Sequence, residues 1–214
     1  MPLKDTINEI KKEIGNATLV AVSKTRSNEE ILSVYELGIK DFGENYVQEL
    51  IIKMDTLPND IKWHMIGHLQ TNKVKEIIKR NIYLIESVDS IKLAKEINKE
   101  AIKNNKVINI LVEVNISKDI NKTGCSIDDL SNIIDVIKTL SNINLKGLMA
   151  IAPNTNDNNL IRKSFEKMKS LKDIYNLELL SMGMSHDYLI AIEEGSNNVR
   201  IGTKIFGERI YKKK

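Results

Sequence analysis

Thr18-Leu19-Val20-Ala21-Val22 is apolar almost throughout, and Ile110-Leu111-Val112-Glu113-Val114 repeats the pattern far downstream. A strand with one wet face would alternate apolar and polar residues, whereas a continuous β-branched run suits a parallel strand covered on both faces. Working outward, similar runs occupy Thr18–Thr25, Asp41–Asn45, Lys62–Gly67, Ile82–Val88, Val107–Asn115, Asn144–Ala152, Leu179–Met184 and Asn198–Phe206. Between them apolar residues recur at helical spacing, as in Ile91, Ala94, Ile97, Ala101 and in Ile127, Leu130, Ile133, Ile134, Ile137. Ser27 and Ser90 stand where helix N-caps are needed. Eight strand–helix units close into a (β/α)8 TIM barrel. The competing open, doubly wound sheet lacks its Gly-x-Gly-x-x-Gly turn after the first strand.

The chain of 214 residues, 42% hydrophobic and 29% charged with 3 Pro and 10 Gly, is read as one α/β domain over 1–214. A formal charge of +3 leaves no large basic surface for nucleic acid, and 3 Phe, 1 Trp and 6 Tyr supply little for base stacking. Lys212-Lys213-Lys214 is solvated charge at a chain end. A lone Cys125 excludes an internal disulfide and points to a reducing compartment. No signal-like apolar core follows Met1, and no run approaches the ~20 residues that span a bilayer. A cytoplasmic protein, monomeric and without membrane or nucleic-acid partners, is expected. The polar runs Pro153–Asn159 and Ile116–Cys125 are the candidate mobile loops.

In such a barrel chemistry gathers at the C-terminal strand ends, and so do the unusual polar residues here. Lys24 ends the first strand, in register with Val20 and Val22, where partial desolvation favours a neutral amine able to attack a carbonyl. Glu44-Asn45 end the second strand, His64 and Gly67 lie on and after the third, and Asn115 ends the fifth. Ser185 is placed as the N-cap of the helix after strand seven, and a helix start can hold phosphate. Arg200 sits inside an apolar strand ahead of Gly202-Thr203; it faces a ligand or pairs with a structural carboxylate such as Glu208. His64 and His68, four apart in a β context with Gly67 between them, do not make a metal face. A lysine on strand one and a phosphate cradle after strands seven and eight describe a pocket for a phosphorylated aldehyde. Pyridoxal 5'-phosphate fits, and so does a phosphosugar held by a Schiff-base aldolase.

Four motifs carry a more specific likeness: Ala21–Thr25, Phe42–Glu49, Trp63–Lys73, and the C-terminal set Leu180–Ser185, Asp187, Gly195-Ser196 and Val199–Gly207. Together they resemble the pyridoxal phosphate homeostasis protein family across nearly the whole chain. The resemblance implies a barrel like the N-terminal domain of alanine racemase, with pyridoxal phosphate as an internal aldimine on Lys24. It further implies phosphate contacts from Ser185, Gly202 and Thr203, Arg200 at the pyridine nitrogen, and Asn45 and His64 along the cofactor's flank. A cation at that nitrogen makes the ring a poor electron sink. Only Glu208–Lys214 follow Gly207, too little for the second domain that completes a racemase. The family's role is a non-catalytic cofactor carrier and regulator in vitamin B6 homeostasis, with PLP-dependent apo-enzymes as recipients. A weak amino-acid racemase is the alternative. His186 and Asn197 depart from the usual pattern, and Asn115, Lys122 and Gly124 match a loop that shapes the pocket rim.

Overall fold

The computed structural model describes residues 2–117, 119 and 122–208. Eight strands run in sequence order around a closed parallel barrel: β1 (Thr18–Val22), β2 (Asp41–Glu44), β3 (Lys62–Met65), β4 (Ile82–Val88), β5 (Ile108–Glu113), β6 (Ile143–Met149), β7 (Leu179–Ser181) and β8 (Asn198–Ile201). Closure comes from β1 and β8, paired from Thr18↔Asn198 to Ala21↔Ile201. The helices are α1 (Leu3–Ile14), α2 (Asn28–Glu36), α3 (Val47–Thr56), α4 (Val74–Ile78), α5 (Ile91–Lys103), α6 (Ile127–Lys138), α7 (Asn158–Ile174), α8 (Tyr188–Glu193) and α9 (Thr203–Phe206). No helix among the described residues is long and apolar enough to cross a membrane.

Alternation along each strand sorts side chains into two cores. Leu19 and Ala21 face outward into the large cluster shared with the helices, where the stripes Leu93, Ala94, Ile97, Ala101 and Leu130, Ile133, Ile134, Ile137 are buried. Inside the barrel Leu84, Leu111 and Met149 form a separate apolar plug against Ile151 and Leu179. Helix starts follow the sequence: Ser27 makes a capping box with Glu30, and the Ser90 hydroxyl accepts from Leu93 N–H.

Strand ends differ from the sequence reading in ways that matter for the mouth of the barrel. β1 stops at Val22 because the chain turns at Lys24-Thr25, where Thr25 adopts φ 65°. Glycine and, less strongly, asparagine or aspartate signal that backbone region from sequence and threonine does not, so the turn has no sequence marker. β7 ends at Ser181, and β8 at Ile201 rather than Phe206. The segment Thr203–Phe206 is a helical turn, its Ile205 and Phe206 amides bonding Gly202 O at 3.0 and 2.9 Å. Gly202 and Thr203 therefore follow the strand instead of lying in it. Ser185 is likewise not an N-cap: α8 begins at Tyr188, and Ser185 lies in the preceding turn. Asp157 caps α7, so the polar run from Pro153 is helical from Asn158 onward. Residues 118, 120 and 121 of the second expected loop, and Lys212–Lys214, lie outside the described residues.

Candidate functional site at the barrel mouth

At the C-terminal mouth, between the ends of β1 and β8, lies an open cavity of about 150 Å³. Lys24, Ser185, Arg200, Gly202 and Thr203 all line it. Five of the seven residues singled out as cofactor contacts thus meet in one place, although they come from three separate segments of chain. Arg26 and His186 join them.

The Lys24 turn is pinned from the helix side. Lys53 on α3 is buried and donates to Ser23 O at 2.8 Å, to Glu44 Oε1 at 2.8 Å and to Glu49 Oε2 at 3.2 Å. The Ser23 hydroxyl donates to Glu44 Oε1 at 2.5 Å, and Thr25 N–H donates to Glu49 Oε2 at 2.7 Å. The residues on either side of Lys24 are therefore fixed, including the left-handed Thr25, which would otherwise cost on the order of 1 kcal/mol or more. Burial pushes the Glu44 carboxyl above the usual carboxylate range, against the pull of Lys53 and Ser23. Sequence reasoning missed Lys53 and Glu49; their i, i+4 spacing beside the Phe42–Glu49 motif was the available signal.

The opposite wall is built from two turns. Gly183, at φ 95°, brings its turn against α8, where a Cβ would meet Ala191 Cβ at 2.6 Å and Tyr188 Cα at 2.9 Å. Asp187 accepts from Met184 N–H at 2.5 Å and closes that turn. Among the described residues the main-chain N–H groups of Ser185, His186, Gly202 and Thr203 make no hydrogen bond. Unspent amides in two adjacent turns are the donors an anion needs. The cavity lining adds Lys24, Arg26 and Arg200 and contains no carboxylate among the described residues. Part of Arg26 is engaged elsewhere, with Glu30 at 3.1 Å and Gly207 O at 2.5 Å. The donor set fits a phosphorylated aldehyde: amides for the phosphate and an amine for the carbonyl.

Arg200 is buried and does not pair with Glu208. Its Nη1 donates to Ser181 Oγ at 2.5 Å and its Nη2 to Ala150 O at 2.9 Å, with Glu86 Oε2 at 3.9 Å. Burial lowers its pKa, opposed by Glu86, Glu113 and Asp187. His64 lies deeper in the barrel and does not line the cavity: Nδ1 contacts Glu86 Oε1 at 2.6 Å and Nε2 contacts Asp41 Oδ1 at 3.1 Å. Burial alone would discharge it, yet the two carboxylates prevail and its pKa is raised. Burial would likewise protonate Glu86, but His64, Arg200 and Ser181 hold its pKa below the ordinary value. Asn45 is not among the cavity-lining residues; its Oδ1 is buried and has no hydrogen-bond partner among the described residues. Gly67 lies directly against it, since a Cβ there would sit 2.3 Å from Asn45 O.

On the rim, Asn115 Nδ2 donates to Asp119 O and Lys122 O at 2.8 and 3.2 Å, and Lys122 Nζ reaches Ala152 O at 3.0 Å. These residues brace their own loop against the end of β6. Cys125 is packed, and burial pushes its thiol up to about 12. A larger concavity of about 220 Å³ touches Trp63, Lys79 and Arg80 at the other end of the barrel. Its Arg80 is spent on Asp55 through bonds of 2.8 and 2.6 Å, and no strand presents its C-terminal end there.

Comparison with known proteins gives this geometry a family. The model of the alanine racemase N-terminal domain matches residues 2–210. The pyridoxal phosphate homeostasis protein of Aquifex aeolicus is 44% identical over 202 residues, covering 91% of this chain and 88% of the relative. The chain belongs to the pyridoxal phosphate homeostasis protein family. A second homeostasis protein, from Schizosaccharomyces pombe, is 38% identical over 204 residues, covering 91% of this chain and 85% of its own length. PipY of Synechococcus elongatus, a solved structure with PLP bound, superposes with a TM-score of 0.88 at 30% identity, covering 96% of this chain and all of PipY. Alanine racemase of Clostridium difficile shares the barrel at TM-score 0.79 and 16% identity, and this chain covers only 56% of it. That last likeness concerns the fold alone.

Proposed function

We propose that this chain binds pyridoxal 5'-phosphate as a carrier and regulator of the cofactor pool, acting over 1–214 as one cofactor-binding domain in the cytoplasm. The observation that carries the reading is the shared cavity: Lys24 on one wall, and the unspent amides of Ser185, Gly202 and Thr203 on the other. Lys24 would hold the cofactor's aldehyde carbon through Nζ. Ser185, Gly202 and Thr203 hold the phosphate, and Arg200 meets the ring nitrogen. Asn45, with its unsatisfied Oδ1, stands on the flank, whereas His64 acts on the site through Glu86. Bound pyridoxal phosphate supplies an electrophilic carbon and a conjugated ring, and a guanidinium at the ring nitrogen damps its use as an electron sink. Among the described residues lining the cavity there is neither a carboxylate nor a tyrosine to act as an acid–base group opposite Lys24, which favours retention over racemisation.

Titration with pyridoxal phosphate, followed by visible absorbance, tests the reading. Wild type is expected to develop the yellow band of a lysine-bound chromophore, and Lys24→Ala to develop none. Dephosphorylated pyridoxal should bind at least about 100-fold more weakly, because several charge-assisted bonds of ~1.5–3 kcal/mol each are lost. An unchanged band in Lys24→Ala, or equal affinity for the two aldehydes, overturns it.

A further inference from the structure

Arg200 does not stand in the cavity wall alone; three other strands fix it. The Ser181 hydroxyl on β7 has one proton, and both its neighbours dictate where that proton points. Arg200 Nη1, 2.5 Å away, can only donate, so Ser181 Oγ accepts there. Glu86 Oε2, also 2.5 Å away, is a carboxylate that accepts, so the Ser181 proton goes to it. The hydroxyl therefore has a single orientation. Glu86 on β4 is itself held by His64 Nδ1 at 2.6 Å and by Asn198 Nδ2 at 3.2 Å, both on Oε1. His64 Nε2 faces Asp41 Oδ1 at 3.1 Å, and two carboxylates around one imidazole require both ring nitrogens to donate.

The result is a chain of alternating charges, Asp41, His64, Glu86 and Arg200, inside the barrel. His64, Glu86, Ser181 and Arg200 are each at most 4% exposed. Ala150 O, at 2.9 Å from Nη2, fixes the guanidinium plane from β6's end. Two of the five guanidinium N–H bonds are thereby committed, and the group still borders the cavity. An arginine on flexible methylenes would otherwise lose rotamer freedom each time it met a ligand.

We propose that Glu86 and Ser181 are positioning residues for Arg200: without touching the ligand, they fix the plane and the polarity of the guanidinium that the cofactor's ring nitrogen meets. The inference rests on the function proposed above, and its test separates the two. The first arm needs no cofactor. Arginine side-chain ¹⁵N NMR of the protein without added ligand should show an Arg200 N–H that exchanges slowly with water. Ser181→Ala and Glu86→Gln, the latter an isosteric loss of charge, should each accelerate that exchange by about tenfold or more, as a bond of this class is released. The second arm uses protein loaded with pyridoxal phosphate. Both variants should keep the label on Lys24 after borohydride reduction while shifting the visible band and its pH midpoint. Exchange unchanged in both variants overturns the proposal. So does a wild-type band and midpoint in variants whose Tm has fallen, because that result assigns Glu86 and Ser181 to structure alone. Failure of wild type to bind the aldehyde overturns the cofactor reading, and the exchange arm still decides whether Arg200 is positioned as described.

Discussion

Glu86→Ala is expected to lower the unfolding free energy by about 3–5 kcal/mol, on the order of 10 °C in Tm for a chain of this size. The carboxylate lies in the barrel interior with His64 at 2.6 Å, Ser181 at 2.5 Å and Arg200 at 3.9 Å. Removing it strands two buried cations, the Ser181 hydroxyl proton and the Asn198 Nδ2 donor at once. The penalty should depend on pH. The Glu86 pKa is held below its ordinary 4.5, so the stability it contributes is present above that value and is lost as pH falls through the lowered folded pKa. The His64 pKa is raised above its ordinary 6.5, so its contribution is complete below 6.5 and fades as pH rises through the raised folded value. Thermal melts of wild type and variant should therefore differ most between about pH 4.5 and 6.5. The gap should close as pH falls through the lowered Glu86 value, and narrow without closing as pH rises through the raised His64 value, because Arg200 and Ser181 still pair with the carboxylate there. A difference of less than about 1 kcal/mol across that window would contradict a charged, buried network.

Gly147→Ala should be comparably severe for a different reason. A Cβ at Gly147 would lie 1.9 Å from Leu179 O and 2.6 Å from Leu179 C, so backbone rather than a side chain must move. β7 is only three residues long and meets β8 through the single pair Ser181↔Asn198. The β6–β7 seam has little spare pairing with which to absorb a shift. Overpacking commonly costs ~1–3 kcal/mol, and a clash against the main chain belongs at or above the top of that range. Because Ser181 follows Leu179 on the same strand, the damage should travel to Arg200 and to the 183–187 turn. Hydrogen exchange should speed up first at Leu179–Ser181, and the affinity for pyridoxal phosphate should fall together with Tm. A variant melting within about 2 °C of wild type would show that the barrel opens easily at this seam.

The barrel itself was readable because β-branched runs and helical stripes alternate eight times, a pattern that few architectures share. Lys24, Ser185, Gly202 and Thr203 were readable because strand ends in such barrels are where polar residues need a reason to be. The local backbone at those positions was not. Thr25 holds a positive φ through a bond to Glu49, a contact 24 residues away, and no propensity of threonine announces it. Thr203–Phe206 reads as strand by composition but coils, because β8 stops at Ile201 and the Gly202 carbonyl is taken up by the amides of Ile205 and Phe206. Sequence proximity points to Glu208 as the carboxylate for Arg200, whereas the fold supplies Glu86, 114 positions upstream. One signal was on hand: Ile82–Val88 is an apolar strand with a single charge at Glu86, and Val199–Ile201 carries a single charge of opposite sign. Isolated opposite charges in two buried strands predict each other, since neither can be buried without a partner. The resemblance implies His64 on the cofactor's flank; in the structure both its ring nitrogens are committed to Glu86 and Asp41.

The account stands or falls on whether Lys24 Nζ and the amide-lined turns at Ser185 and Gly202-Thr203 act on one molecule. Wild-type protein loaded with pyridoxal phosphate, reduced with borohydride, digested and mapped by mass spectrometry tests this directly. The predicted result is one equivalent of reduced cofactor on the peptide containing Lys24, formed in preference to every other lysine and suppressed by excess inorganic phosphate competing for the turns. Label scattered over surface lysines, or label on Lys24 indifferent to phosphate, would contradict it.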